Sequence, residues 1–222
     1  MRLFAILTII AVGAAISIGI AVANNDMDSI SGSGMMKTEQ RDLRDFTSVS
    51  VSGAITAEVH AGAEYSVKIE ADDNMLQYVK TSVSGKVLSV SMKDGFSFRN
   101  GAVHVSISMP QVEGLEASGA TTLNASGVKG TALKLEVSGA SHATIAGQVN
   151  RLDCDVSGAS TLAAEWLVSK NAAVNCSGAS NAHVHADESL DIDASGASHV
   201  SYSGNATNVN NQTSGVSSID KE

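Results

Sequence analysis

The chain repeats a Ser-Gly-Ala motif at nearly constant intervals through its C-terminal half. Copies begin at Ser118, Ser138, Ser157, Ser177 and Ser195, Ser214-Gly215-Val216 closes the series, and the spacings are 20, 19, 20, 18 and 19 residues. A fixed short period is typical of folds in which one unit stacks on the next. The motif therefore predicts a solenoid.

Apolar and polar residues alternate on both sides of each motif. The positions one and three before the serine are apolar, and the second of these columns is Leu115, Leu135, Cys154, Val174 and Ile192. A second alternating segment begins shortly after each motif. Alternation with period two predicts strands that bury one face. Two short strands per repeat of about 19 residues predict an all-β fold, a parallel β-helix with this column facing inward.

The first 23 residues have the pattern of a secretory signal peptide. Arg2 precedes an uncharged apolar stretch from Leu3 to Ala23 that ends in small residues. We expect cleavage near Asn24, no membrane insertion afterwards, and a final location in the periplasm, at the cell surface or outside the cell. An uncleaved anchor is the alternative, because the stretch is long enough to span a bilayer.

The exported part is expected to form one elongated domain over residues 43–216. Residues 24–42 contain a Ser-Gly run and are interpreted as a flexible linker, and residues 217–222 as a frayed tail. Within the domain, residues 43–110 are expected to form a β-rich cap and residues 111–216 the repeats. Ser52-Gly53-Ala54 is interpreted as an outlying copy of the motif. Strands are predicted in the cap at 48–51, 55–60, 65–70, 87–92 and 103–109.

The acidic balance of the chain restricts its partners. The formal net charge is −9 at pH 7, so the chain lacks the basic surface that nucleic acids require. The expected partner is an unidentified surface, glycan or protein ligand. Homo-oligomer formation through the flat sides of the helix is a further possibility. No cofactor is expected.

The cap and the repeats together resemble a known bacterial family. The residues that carry the resemblance are the segment from Phe46 to Gly53, Tyr65 to Asn74, Gly85 to Val90 and Val103 to Pro110, followed by the Ser-Gly-Ala series. This order is similar to the family called "putative auto-transporter adhesin, head GIN domain", over roughly residues 43 to 216. The resemblance implies an exported β-helical protein of the cell envelope and brings no catalytic or ligand-binding residue with it.

Histidines and carboxylates form two candidate metal sites. His183 and His185 share one side of a predicted strand, and His199 lies in the adjacent coil, so their imidazoles could share a metal. The favoured interpretation is instead a set of solvated polar residues on an exposed sheet, because no carboxylate or cysteine completes a defined ligand spacing. Glu116, Glu136 and Asp155 fall in one column of successive coils and could hold a divalent cation. We expect no Arg or Lys beside this ladder, which argues against binding or cleavage of an anionic sugar.

Other residues with reactive side chains are expected to be structural. The repeated serines have the same neighbours in every coil, whereas a nucleophile needs one distinguished position beside a base. Trp166 is expected to fill a corner of the core, and a surface contact is the alternative. Cys154 and Cys176 fall in different inward columns, about 8 Å apart, which exceeds the reach of a disulfide. They are predicted to be buried free thiols.

The sequence favours a non-enzymatic, adhesin-like protein of the cell envelope that presents a polar, repetitive face. A carbohydrate-active enzyme, such as a polysaccharide lyase or hydrolase, is the alternative from another class. A structural, oligomer-forming envelope component is a third. No catalytic residue is predicted under the favoured interpretation.

Overall fold

The computed structural model describes residues 28–222. They form an all-β fold with one turn of 3-10 helix at Leu76–Tyr78, which confirms the predicted class. The predicted signal peptide, residues 1–23, lies outside the described residues. Between residues 28 and 222, no helix is long and apolar enough to cross a membrane.

The N-terminal half contains the strands that the sequence predicted and several more. The five predicted segments of the cap are strands, and the structure contains further ones that the sequence did not indicate. The strands are β1 (Asp28–Ser31), β2 (Met36–Arg41), β3 (Ser48–Gly53), β4 (Thr56–Ala61), β5 (Ser66–Asp72), β6 (Val79–Ser84), β7 (Val87–Met92), β8 (Phe96–Arg99) and β9 (Val103–Met109).

The repeats form long strands, each of which runs from one motif to the next. The strands are β10 (Gly114–Gly119), β11 (Thr122–Val137), β12 (His142–Val156), β13 (Thr161–Cys176), β14 (Asn181–Ala194), β15 (His199–Ser203), β16 (Asn208–Thr213) and β17 (Ser218–Lys221). The two short strands predicted per repeat are continuous in β11–β14, where shifts of register mark the middle of the strand.

Successive long strands pair in parallel, so equivalent residues of neighbouring repeats lie side by side. Leu135 pairs with Leu115 on one side and Cys154 on the other, and the column continues through Val174 and Ile192. All five side chains are buried. The column predicted from the alternation is therefore present, because the spacing of the motif fixes the register.

Each motif divides the sheet into two branches. The leading branch comes before the motif and contains β6, β7, β3, β10, the final residues of β11–β14, and β16. The trailing branch comes after it and contains β2, β5, β9, β4, the first residues of β11–β14, β15 and β17. Both branches bury one side in the same hydrophobic core. Their exposed sides therefore point away from each other.

The two ends of the stack close in different ways. At the N-terminal end the outermost strands are antiparallel, β6 on β7 and β2 on β5. At the C-terminal end the apolar column ends in polar residues, since Asn211 and Thr213 pair with Ile192 and Ala194 and are exposed. Polar residues at inward positions discourage a further strand from adding to the edge.

Three expectations about segment boundaries were wrong. The interpretation of residues 24–42 as a flexible linker fails in its described part, because β1 pairs with β8 and β2 pairs with β5. The tail at 217–222 contains β17, which pairs with β15. Ser52-Gly53 is no outlier, because it pairs in register with Ser118-Gly119. Each segment is ordered by backbone pairing with distant strands, which local composition does not reveal.

Candidate binding faces

The Ser-Gly-Ala corner is held by close contact between stacked glycines. Gly139 has φ +77°, and a Cβ at this position would lie 2.6 Å from the carbonyl oxygen of Gly119. Only glycine fits this combination of a left-handed backbone and a close approach. The repeated glycines therefore separate the leading and trailing branches at a sharp corner.

A column of buried hydroxyl groups follows the corner, and the sequence interpretation missed it. Its members are the fourth residues of the motif: Thr121, Ser141, Ser160, Ser180 and Ser198 are buried, and Ser217 at the end of the column is half-buried. Ser180 Oγ donates to the carbonyl oxygens of Ser177 at 2.7 Å and Val156 at 3.3 Å. Thr121 Oγ1 makes the equivalent bonds to the carbonyl oxygens of Ser118 at 2.8 Å and Val51 at 3.5 Å, and a further one to Gly53 at 3.0 Å. The signal in the sequence was the serine or threonine that follows each motif from Ser118 onward, so the motif itself extends to four residues.

The predicted acidic ladder is present on the exposed side of the leading branch. Glu116 pairs with Glu136, and the column continues through Asp155, Asn175 and Asp193. Asn175 Nδ2 donates to Asp155 Oδ1 at 2.8 Å. The asparagine therefore relieves the repulsion between stacked carboxylates by supplying a donor.

The expectation that no cation accompanies the ladder was wrong. Lys134 Nζ forms an ion pair with Glu136, and Arg151 Nη2 lies 2.6 Å from Asp153 Oδ1. The hydrogen bond and charge of Glu136 raise the pKa of Lys134. Both cations stand two residues before their partners on the same strand, so period two places each pair on one face. That spacing was visible in the sequence.

The six histidines of the chain all lie on the exposed side of the trailing branch. His104 pairs with Thr56 on β4, and His142 with Thr122 on β11. The other four are His60, His183, His185 and His199. Within its strand, each of the six histidines is adjacent along the chain to residues that are apolar and mostly buried. We call this surface the histidine face.

The candidate metal ligands do not converge on one point. Each histidine of the predicted trio contacts a serine on the next strand: His183 Nδ1 lies 2.5 Å from Ser201 Oγ, and His185 Nδ1 lies 2.9 Å from Ser203 Oγ. The rings of His183 and His199 are 6.4 Å apart. Within residues 28–222, no group of three or more His, Cys, Asp or Glu side chains is arranged to hold a metal ion. Glu116, Glu136 and Asp155 lie on the other branch.

Trp166 does not fill the core, contrary to the expectation. Its side chain is 71% exposed. It lies where β13 carries extra residues relative to β14, since Ala164 pairs with Val184 and Val168 with His185. A bulge of this kind turns a side chain outward. The irregularity in the repeat therefore projects an aromatic ring from the surface.

The two cysteines are free and buried, as predicted. Cys154 pairs with Val174 and Cys176 pairs with Val156. Burial raises the pKa of both thiols. Both side chains therefore act as small hydrophobic residues.

The exposed sides of the sheet carry open grooves. One groove on the histidine face has a volume of ≈ 410 Å³ and is bordered by Glu58, His60, Asn124, Ser126 and Thr144. A groove of ≈ 350 Å³ lies beside Lys134 and Asp153. Open grooves lined by repeated polar groups can hold an extended ligand.

Solved structures share this fold at low sequence identity. A structure described as "a putative adhesin" from Bacteroides fragilis is 15% identical, with a TM-score of 0.72, and the match covers 87% of this chain and 100% of that one. A second such adhesin, from Parabacteroides merdae, is 18% identical with a TM-score of 0.56, covering 88% and 99%. A "putative lipid binding protein" from Parabacteroides distasonis is 17% identical with a TM-score of 0.54, covering 88% and 100%.

No curated protein matches the chain. A family model does match, over residues 45–206. This range includes β3 to β15 and therefore both branches of the sheet. The chain belongs to the family described as "Putative auto-transporter adhesin, head GIN domain".

Proposed function

We propose that this chain is an exported, non-enzymatic, adhesin-like protein of the cell envelope, built as a parallel β-helix with repeats of about 19 residues. Membership of the adhesin family supports the role. The parallel register of β10 to β15 supports the β-helix. The apolar segment from Leu3 to Ala23 supports export.

The observation that carries the proposal is the uniformity of the histidine face. Threonine, asparagine, serine and histidine side chains recur at equivalent positions on its strands, as in Thr122, His142, Thr161 and Asn181. These groups donate and accept hydrogen bonds and carry little charge at neutral pH. A surface of this chemistry fits a neutral glycan, whose hydroxyl groups need many partners along an extended chain.

The same uniformity favours binding over catalysis. An enzyme needs one position where a nucleophile or acid stands beside the group that activates it. The titratable groups of the ladder are instead half-buried or exposed and repeat from strand to strand, as Glu116 and Glu136 do. The alternative of a polysaccharide lyase or hydrolase predicts release of sugar fragments, which binding alone does not produce.

The test is a glycan array probed with the purified protein at about pH 7.5. We expect retention of a group of related neutral glycans without release of fragments. A variant with Thr144→Arg and Thr161→Arg on the histidine face should lose at least about tenfold in affinity. The control, Asn175→Arg with Asn210→Arg on the leading branch, adds the same charge and should bind normally. Equal losses in both variants, or fragment release, would contradict the proposal.

A further inference from the structure

Trp166 projects from the edge of the histidine face at a point where β13 has one residue more than β12. Between the pairs Thr144–Ala163 and Gly147–Leu167, β12 has two residues and β13 has three, the last of which is Trp166. The other aromatic side chains between residues 28 and 222 are buried or half-buried. The exposed indole is therefore exceptional in the described part of the chain.

The turns next to Trp166 have little side-chain bulk. Gly147 pairs with Leu167, the residue that follows Trp166, and a Cβ on Gly147 would lie 2.1 Å from the carbonyl oxygen of Val128. This turn of β12 therefore has no room for a side chain. The extra residue of β13 is what allows a large side chain to leave the surface here.

Trp166 lies beside the groove of the histidine face. Because Thr144 pairs with Ala163 and Gly147 with Leu167, Ala146 lies opposite the segment that contains Trp166. Paired strands are about 4.8 Å apart. Thr144 and Ala146 both border the groove of ≈ 410 Å³. The strand with the exposed indole therefore follows directly after the strand that borders this groove.

The groove and the indole offer the two kinds of contact that a sugar ring needs. A pyranose ring has hydroxyl groups around its edge and C–H groups on its faces. Hydrogen bonds from exposed polar side chains replace bonds to water, so each adds little net affinity. A flat aromatic ring instead removes apolar surface from water. We therefore expect the indole to contribute more affinity than any one polar group of the groove.

Glu165 provides a second observation at the same place. This residue precedes Trp166 and is half-buried, and its Oε2 is buried and accepts no hydrogen bond from a described residue. Buried polar atoms nearly always have a partner. A sugar ring on Trp166 carries hydroxyl groups at its edge, which can donate to this carboxylate. A carboxylate also disfavours anionic sugars, in agreement with a neutral ligand.

We propose that Trp166 is the platform on which a sugar ring of the bound glycan stacks, and that this glycan is an extended β-linked chain of glucose-type rings. The inference rests on the proposed function and names the class of glycan. Glucose-type rings place every hydroxyl group equatorially, so both faces carry only C–H groups. A β-linked chain of such rings is straight and flat, which fits an open groove on a sheet.

Titration of the purified protein with cellohexaose at pH 7.5 tests the proposal. Trp166 is the sole tryptophan of the chain, so tryptophan fluorescence reports this contact alone. We expect the emission to shift to shorter wavelength and the indole to become protected from quenching by acrylamide. Both changes should saturate together with the heat of binding measured by calorimetry. Heat of binding without a change in fluorescence would overturn the proposal.

Variants measure the contribution of the ring. Trp166→Ala should bind cellohexaose at least about tenfold more weakly, and Trp166→Phe, which keeps a smaller ring, about threefold more weakly. Because the side chain is 71% exposed, both variants should unfold at the same urea concentration as the parent protein. The control, Val216→Ala, truncates an apolar side chain that is 87% exposed after the last motif glycine and should bind normally. Equal affinity of the alanine variant and the parent would refute the platform.

The glycan array separates failure of this inference from failure of the proposed function. If the array retains neutral glycans but cellohexaose does not bind, the proposed function stands and the class of glycan is wrong. If Trp166→Ala gives the same array pattern as the parent protein, binding stands and the platform is wrong. If the array retains no neutral glycan, both proposals fail.

Discussion

Gly158 stacks on Gly139 so closely that a Cβ on Gly158 would lie 2.5 Å from the carbonyl oxygen of Gly139. The backbone cannot yield easily at this point, because the amides of the corner also bond from repeat to repeat. Ala159 N donates to the Gly139 oxygen at 2.8 Å. The corner therefore requires glycine for two reasons: the backbone has a positive φ, and there is no room for a Cβ.

Gly158→Ala should consequently be among the most damaging single substitutions. A left-handed residue with a Cβ costs about 1–2 kcal/mol, and forcing atoms into a packed site adds about 1–3 kcal/mol. Gly34→Ala is the matched control, since Gly34 has the same φ of +77° and no atom within 4 Å of the added Cβ. It should show the first cost alone. Urea unfolding of both variants measures the difference, and equal losses would exclude steric contact as the cause.

Ser180→Ala should lower the free energy of unfolding by about 1 kcal/mol, the usual value of a lost internal hydrogen bond. Its hydroxyl serves two carbonyl groups on neighbouring repeats. Ser180→Thr should lose little, because threonine already occupies the equivalent position as Thr121. If the threonine variant is as unstable as the alanine variant, the hydroxyl is not the stabilising group.

Asn175→Asp should make the acidic ladder sensitive to pH. The change removes the donor to Asp155 Oδ1 and adds a like charge between two carboxylates. We expect a loss of about 0.5–1 kcal/mol at pH 7. Neighbouring charge raises the pKa of the new carboxyl group in the folded state, so the loss should grow as pH rises through about 4 and be absent at pH 3. Asn175→Ala, which lacks the charge, should show no such dependence.

The cysteines should remain thiols and make the fold sensitive to alkali. Denatured protein without reductant should yield two titratable thiols, and the native protein should react slowly, because both are buried. Since burial raises both folded pKa values, stability is intact below the unfolded pKa of about 8.5 and falls above it, by up to about 1.4 kcal/mol per pH unit for each thiol. Cys154→Ala with Cys176→Ala should abolish this fall. No thiols after denaturation would mean that a disulfide forms.

The repeats were predictable because their period and alternation are local properties of the sequence. Leu115 and Ile192 each lie three residues before the serine of a motif, so the even spacing of the motifs places them in one column. The roles of residues 28–42 and 217–222 were missed because they depend on pairing with distant strands, such as β2 with β5. Trp166 was misjudged because the bulge that turns it outward depends on how β13 pairs with β14, which the sequence alone does not show.

The candidate faces were only partly predictable. The distance of each residue from the motif serine placed Glu116, Glu136 and Asp155 in one column. The alternation of polar and apolar residues placed His183 and His185 together on the outward side of a strand. The pairing of Lys134 with Glu136 was missed although both lie on one strand. The gathering of all six histidines on one branch required the topology, because His60 and His104 come from cap strands whose order in the sheet differs from their order in the chain.

The polar residues Asn211 and Thr213 take inward positions in β16, the last strand of the leading branch. The number of repeats that come before β16 does not affect this end of the stack. Because the antiparallel N-terminal strands and the polar residues of β16 lie at opposite ends of the stack, a complete repeat could be gained or lost between them without redesign of either end. Each such event would change the reach of the molecule by about 4.8 Å. Duplication of single repeats thus offers this architecture a simple way to evolve longer or shorter forms.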